Sequence, residues 1–505
     1  MNSRTLRRRA RWASVGAVVT IGATLTACAP AGSGGGGGPA SNPLGFTPLT
    51  NNALSCASSG LPKFANDGLN NPVTPTKLMQ AFDSALPINA PATSNTVGRQ
   101  NDMIALSPDG AYLYTVSENA NPTEAPGSVN GSDGVTRLTL ATGKKEILAN
   151  NVVAGVNQWQ RIDGIKWYPY GGPGTSGAGV LLAGEEFAAG GVWQVNPDTG
   201  AFVRLDWLGN YAHEGIGIDA AGNLYLGDEN RTGAIYKAVP TDKTNLTLGG
   251  TLYYMVGTGI DASGWKAVVN PANAITEANN GGAILFDRPE DFDERNGRIY
   301  FAPTEPKGDA DTRHGNYNGT PAGGVDVLQN QVVNRGGVYS FDAVGTPDLS
   351  TQSGAIPYTK LTPMIDLNDP TYPNAAAAQA QQGLQFPDNI AFDGYGHLWV
   401  HEDIPDAATF PASGIDVSKQ VRDQQDELYV FELNATGDAI VPNPDSSGPA
   451  VSGGYKAADM RTSPSATPSH PCENEFSGGI FAADGKTLYV NQQHWDNPTL
   501  TITIN

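Results

Sequence analysis

The chain has 505 residues, with 50 acidic against 30 basic side chains and a formal net charge of −20. Such a surface is a poor partner for nucleic acid, whose phosphates need a basic face. Two readings of the acid excess remain, solubility of an exported protein or carboxylates placed on divalent cations, and the spacing of the acids has to decide between them.

Residues 1–28 read as an export signal. Arg4, Arg7, Arg8, Arg9 and Arg11 make a basic start, and Ala13 to Ala27 is an apolar stretch too short and too rich in small residues for a stable membrane span. It ends in Leu25-Thr26-Ala27-Cys28, which resembles the bacterial lipobox, where Cys28 would be diacylated and become the mature N-terminus. A plain secretory peptide is the blander alternative. Loss of this segment removes five arginines and no acid, so the charge moves from −20 to −25. The expected location is the cell envelope, lipid-anchored at the periplasm or cell surface, with membrane contact only through that anchor. Residues 29–94 are expected to be a flexible tether and N-terminal segment, rich in Gly, Ser, Pro and Asn as far as about Leu61. Residues 95–505 are expected to form one all-β body, taken as a monomer. Besides Cys28, only Cys56 and Cys472 remain, and in an oxidising envelope these two could pair and tie the N-terminal segment to the last strands.

Farther along, one pattern recurs: a hydrophobic run, a turn with Asp or Asn and glycine, then a second hydrophobic run. It appears as MIALSPDGAYLYTVSE from Met103, GIGIDAAGNLYLGDE from Gly215, DFDERNGRIYFAPTE from Asp291, NIAFDGYGHLWVHED from Asn389 and GGIFAADGKTLYVNQQ from Gly478. The turn glycines are Gly110, Gly222, Gly297, Gly396 and Gly485. A degenerate sixth copy starts near Arg161 and ends in GVLLAGEE, at Glu185 and Glu186. Each copy predicts a β-hairpin with a tight turn. Hairpins repeated at irregular spacings predict an all-β fold, a β-propeller of about six blades with large loop insertions, the polar stretches 303–335 and 403–470 being read as such loops. A β-sandwich would leave the repetition of one hairpin unexplained.

The copies carry acids at both ends. On entry stand Asp102, Asp163, Glu214, Glu290, Asp388 and Glu475; on exit stand Glu118, Glu185, Glu186, Asp228, Glu229, Glu305, Glu402 and Asp403. The start of strand one and the end of strand two of an antiparallel hairpin share an edge, so these carboxylates are expected to meet around a central channel. Like charges gathered there call for protonation or metal, and all-oxygen ligands suit calcium or another hard cation.

The same segments, in the same order from about Gly179 to His494, resemble the PhoX-type alkaline phosphatases. LLAGEEF, WLGNYAHEGIGID, NLYLGDENRTGAIYK, FDRPEDFD, VVNRGGVYSFD, FPDNIAFDGYGHLWVHED and ENEFSGGIFAADGKTLYVNQQHW carry the likeness. It implies an exported propeller that binds calcium and iron at its mouth and hydrolyses small phosphate monoesters. Carried over by match, Glu185 or Glu186, Glu214, Asp228, Glu290, Asp388, Asp403 and Glu475 would be metal ligands. Arg288 and Glu290 would be catalytic, with Arg288 and His213 on the substrate. The chain departs from the pattern at Gly184, where the resemblance places a cysteine ligand to iron, and at Glu229, where it places an aspartate. Several calcium ions are therefore the expected cofactors, with the iron site in doubt.

Three functions draw on these residues to different degrees. A metallophosphatase uses Arg288 and the carboxylates together. A non-catalytic, calcium-stabilised envelope propeller for ligand binding or adhesion needs the carboxylates but not Arg288. A metal-dependent lactonase-like hydrolase leaves Arg288-Pro289-Glu290 unexplained.

Overall fold

The computed structural model describes residues 63–64, 76–80, 86–87, 101–117, 134–153, 156–171, 179–229, 233–258, 261–286, 288–304, 325–326, 337–343, 362–366, 384, 387–403, 427–433, 439–440, 455–459, 474–494 and 498–503. Cys28, Cys56, Cys472, Glu118 and Glu305 lie outside the described residues.

The architecture is all-β, built of several small antiparallel sheets, and is consistent with a propeller-like fold. Six sheets each hold a run of four antiparallel strands. Their first strands are Asn101–Leu106, Ile162–Tyr168, Ile216–Ile218, Pro289–Arg295, Pro387–Phe392 and Asn474–Phe481. Each pairs with the strand that follows the expected turn, so all six hairpins read from the sequence are present. These first strands also touch one another in an unbroken cycle, each sheet's against the next and the sixth's against the first. Among the described residues the longest helix is Ala274–Gly281, of eight residues.

The turns form for the reason the sequence suggested. Gly110, Gly222, Gly297, Gly396 and Gly485 have φ of +68°, +87°, +81°, +100° and +66°, a region closed to most side chains. The preceding acid fastens the turn: Asp393 Oδ1 accepts the backbone N–H of Tyr395, Gly396 and His397 at 2.8–2.9 Å, and Asp219 accepts from Asn223 and from the Tyr225 hydroxyl. Alternation on either side of each turn buries aromatic residues between sheets. Phe292, Phe301, Tyr339 and Phe341 fill one such layer, with Phe292 and Phe301 stacked at 5.4 Å.

The structure extends the strand reading at two places. Strands Lys63–Phe64, Thr76–Gln80 and Leu86–Pro87, inside the expected tether and N-terminal segment, pair with Tyr455–Asp459, Pro498–Thr503 and Lys144–Ala149 respectively. Thr76–Gln80 thereby completes the sixth sheet with chain from the other end. Strands Glu427–Leu433 and Tyr455–Asp459, in the span read as a large loop, supply two strands of the fifth sheet. ELYVFEL does alternate as a strand should, but the polar sequence around it masks the period.

Candidate metal centre

The entry acids owe their position to a feature the pattern did not reveal. In four of the six first strands the register slips directly after the first residue. Asn101, Ile162, Pro289 and Pro387 pair with the second strand, but regular pairing resumes only three residues later. Asp102, Asp163, Glu290 and Asp388 fall inside that bulge, off the ladder, where a side chain is re-aimed. In the third sheet Glu214 precedes strand Ile216–Ile218. Small residues then let neighbouring strands close in. A Cβ on Gly164 would stand 1.8 Å from Glu214 O, and one on Gly215 would stand 2.3 Å from Asp291 Cα.

The result is a cluster of Glu214, Glu290 and Asp388, from three successive sheets, with one carboxylate oxygen of each within 4.8 Å of the others. All three side chains are buried. Burial pushes the Glu214 carboxyl well above the usual carboxylate range, and the charges of Glu290, Asp388 and Asp163 push it further. Burial raises Glu290 as well, against the pull of Arg288. The Glu290 carboxyl faces the Glu214 carboxyl and the Arg288 guanidinium. Asn389, fully buried beside Asp388, donates to Glu214 Oε1 at 3.2 Å and turns its own carbonyl toward Gly478 N–H. A concentrated, desolvated set of oxygen ligands with this much mutual repulsion fits a hard divalent cation.

Arg288 lies against this cluster. Its Nε is 2.8 Å from Glu290 Oε1, but that N–H is directed to Glu229 Oε1 at 3.0 Å. Nη2 meets the same Glu229 oxygen at 2.9 Å, and Nη1 is 3.5 Å from Asp403 Oδ2. Arg288 also has φ +44°, in the left-handed region and directly before Pro289. A non-glycine residue holds such a conformation only where its surroundings enforce it, and such residues gather at functional sites.

The other expected ligands are arranged differently. Glu185 accepts hydrogen bonds from Gln160 N, Gly191 N and Trp193 Nε1, the last at 2.9 Å, so its oxygens serve the second sheet. Glu186 is ion-paired with Arg161. Asp228 is buried near Tyr211 and Tyr236; burial raises both hydroxyls well above their usual pKa, and the charge of Asp228 adds to it. Asp403 joins Arg288 rather than the three carboxylates. Glu475 stands in the strand Asn474–Phe481 opposite Gln493; its side chain lies outside the described residues. His213, expected on the substrate, is a packing residue here. It is 1 % exposed, its ring lies 3.8 Å from that of Tyr211, and burial lowers its pKa to about 3.

Asp163 and Glu229 are among the entry and exit acids expected at the channel, though the resemblance makes neither a ligand; Asn389 is in neither set. Asp163 shared the entry position and was recoverable from it. The partners of Glu229 and Asn389 stand 59 and 175 residues away in sequence, and no local pattern pairs them.

Gly184 is closed to any side chain. A Cβ there would lie 2.8 Å from His213 O and 2.9 Å from His213 Cβ. Among the described residues the candidate metal centre has no cysteine ligand, and at Gly184 the backbone of the neighbouring segment occupies the space one would need.

Fold and site together define an all-β protein of propeller-like build, with three buried carboxylates that could hold a divalent cation beside an arginine. The family model for alkaline phosphatase PhoX matches residues 170–496, and the chain belongs to that family. Among solved structures, it resembles that described as Pseudomonas fluorescens PhoX in complex with vanadate, a transition state analogue. The TM-score is 0.55 at 17 % identity, over 91 % of this chain and 98 % of the other. A gluconolactonase from Xanthomonas campestris aligns at TM-score 0.39 and 11 % identity, over 90 % of this chain and 96 % of the other. No curated protein sequence matches the chain.

Proposed function

We propose that this protein is an exported, metal-dependent phosphatase that hydrolyses small phosphate monoesters at the mouth of a six-bladed propeller. The observation that carries the reading is the juxtaposition of Glu214, Glu290 and Asp388, within 4.8 Å of one another, with the Arg288 guanidinium. The unbroken cycle of contacts among the six first strands supports the six-bladed closure. A structural cation site would need the carboxylates alone. An arginine seated among them suits an anionic substrate, because its planar fork of donors matches phosphoryl oxygens.

In this reading Glu214, Glu290 and Asp388 hold the cation, with Glu475 and one of the exit acids as further ligands. The bound metal supplies charge neutralisation for the phosphoryl oxygens and lowers the pKa of a water near them. Arg288 binds the phosphoryl group and stabilises the charge that builds on its oxygens as water adds to phosphorus and the alcohol leaves. The His213 ring is buried against Tyr211 and stands away from the substrate in this reading. With an all-oxygen donor set and no room for a thiolate at Gly184, calcium is preferred over iron. The protein would work in the cell envelope as a monomer, tethered through a lipid on Cys28 and braced by a Cys56–Cys472 disulfide.

Charge reversal at Arg288 tests the reading. Arg288→Glu places repulsion where the phosphoryl group must bind, so turnover of an aryl phosphate should vanish while calcium still raises the melting temperature. Turnover at the wild-type rate would make Arg288 structural and refute the proposal.

A further inference from the structure

We propose that Glu229 is the positioning residue for Arg288, fixing the guanidinium so that its Nη1/Nη2 end faces the phosphoryl group. This rests on the phosphatase reading and adds a residue to it. A guanidinium is rigid and planar, so fixing two of its nitrogens fixes the whole fork. Glu229 does this with a single oxygen: Oε1 accepts from Nε at 3.0 Å and lies 2.9 Å from Nη2. The Nε edge is thereby occupied. Nη1 lies 3.5 Å from Asp403 Oδ2, and the arginine side chain is partly exposed.

Glu229 is itself well held. Its side chain is 5 % exposed, and its backbone N–H donates to Ala212 O at 3.1 Å. From the other side Thr304 N–H donates to Arg288 O at 2.9 Å and pins the strained backbone of Arg288. Arg288 is therefore anchored at its main chain by one sheet and at its guanidinium by another. Without Glu229, Glu290 is already within reach at 2.8 Å from Nε, and pairing with it would turn the fork toward the cation ligands and away from a substrate. What matters is the reach of the Glu229 side chain, more than its charge.

That distinction sets the experiment. Inorganic phosphate is titrated calorimetrically into the mature protein at saturating calcium, and KM and kcat for an aryl phosphate are measured alongside. Glu229→Gln keeps the length and an acceptor oxygen, whereas Glu229→Asp keeps the charge but falls one methylene short. Positioning predicts that the Asp variant weakens phosphate binding and raises KM by about tenfold, the worth of one charge-assisted hydrogen bond. The Gln variant should stay within a few-fold of wild type, and both should melt near the wild-type temperature. The reverse order, with Asp at the wild-type value and Gln impaired, would show charge balance instead and overturn the inference. Wild-type affinity in both variants would overturn it too. If the wild-type protein neither binds phosphate nor turns over the ester, the phosphatase reading fails and this inference falls with it.

Discussion

Replacing Glu290 by glutamine removes one charge from the cluster while keeping its shape, and the structure sets the size of the effect. At an effective dielectric of 20, two carboxylates no more than 4.8 Å apart repel by at least about 3.5 kcal/mol when both are ionised. Glu290 faces two such partners, so its repulsion amounts to at least about 7 kcal/mol, against about 6 kcal/mol of attraction to Arg288 at 2.8 Å. At that limit the two nearly cancel. In a chelator, Glu290→Gln should therefore unfold within about 1–2 kcal/mol of wild type, which is unusual for a fully buried charge. Calcium should separate the two proteins. At a hundredfold excess over Kd, a bound ion stabilises the wild type by about 2.7 kcal/mol, and the variant should gain little of this. Urea unfolding at fixed pH, with chelator and then with calcium, measures both quantities. Equal calcium stabilisation of the two proteins would refute the assignment of Glu290 as a ligand. A loss of several kcal/mol in the chelator would refute the charge balance.

The metal-free protein should also lose stability as pH rises. Glu214 and Glu290 hold their protons above the usual carboxylate range, so folding is favoured fully below the unfolded carboxylate pKa of about 4.3 and loses that advantage as pH climbs through the raised folded values. Melting temperature against pH in a chelator should fall over that window, and calcium should flatten the curve; a flat curve in the chelator would contradict the burial of ionisable carboxylates. Gly184→Cys should not create an iron site and should destabilise the fold, since its Cβ would sit 2.8 Å from His213 O; a stable, iron-loaded variant seen by elemental analysis would show that the His213 segment yields. Thiol labelling of the unreduced, denatured mature protein should find Cys56 and Cys472 unreactive, and stoichiometric labelling of both would remove the disulfide from the account.

What the sequence made legible was what depends on near neighbours. The five turn glycines adopt positive φ because a tight hairpin leaves no alternative, and the flanking alternation places Phe292 and Phe301 in a buried layer. Entry acids were legible as a set because the hairpin repeats. Their aim was not, since it comes from a bulge whose register depends on the paired strand. Exit acids diverged for the same reason: Glu185 was one more carboxylate at a strand end until Trp193 and Gly191 folded over it. The partnership of Glu229 with Arg288 joins two sheets, and no local pattern encodes it.

The central claim is that carboxylate-held metal and Arg288 together cleave phosphate esters. Its most direct test is the initial rate of aryl phosphate hydrolysis by the mature protein, measured in a calcium chelator and again after refilling with calcium. The account predicts turnover that collapses in the chelator and returns with calcium. Hydrolysis that persists unchanged in the chelator, or none after refilling, would contradict it.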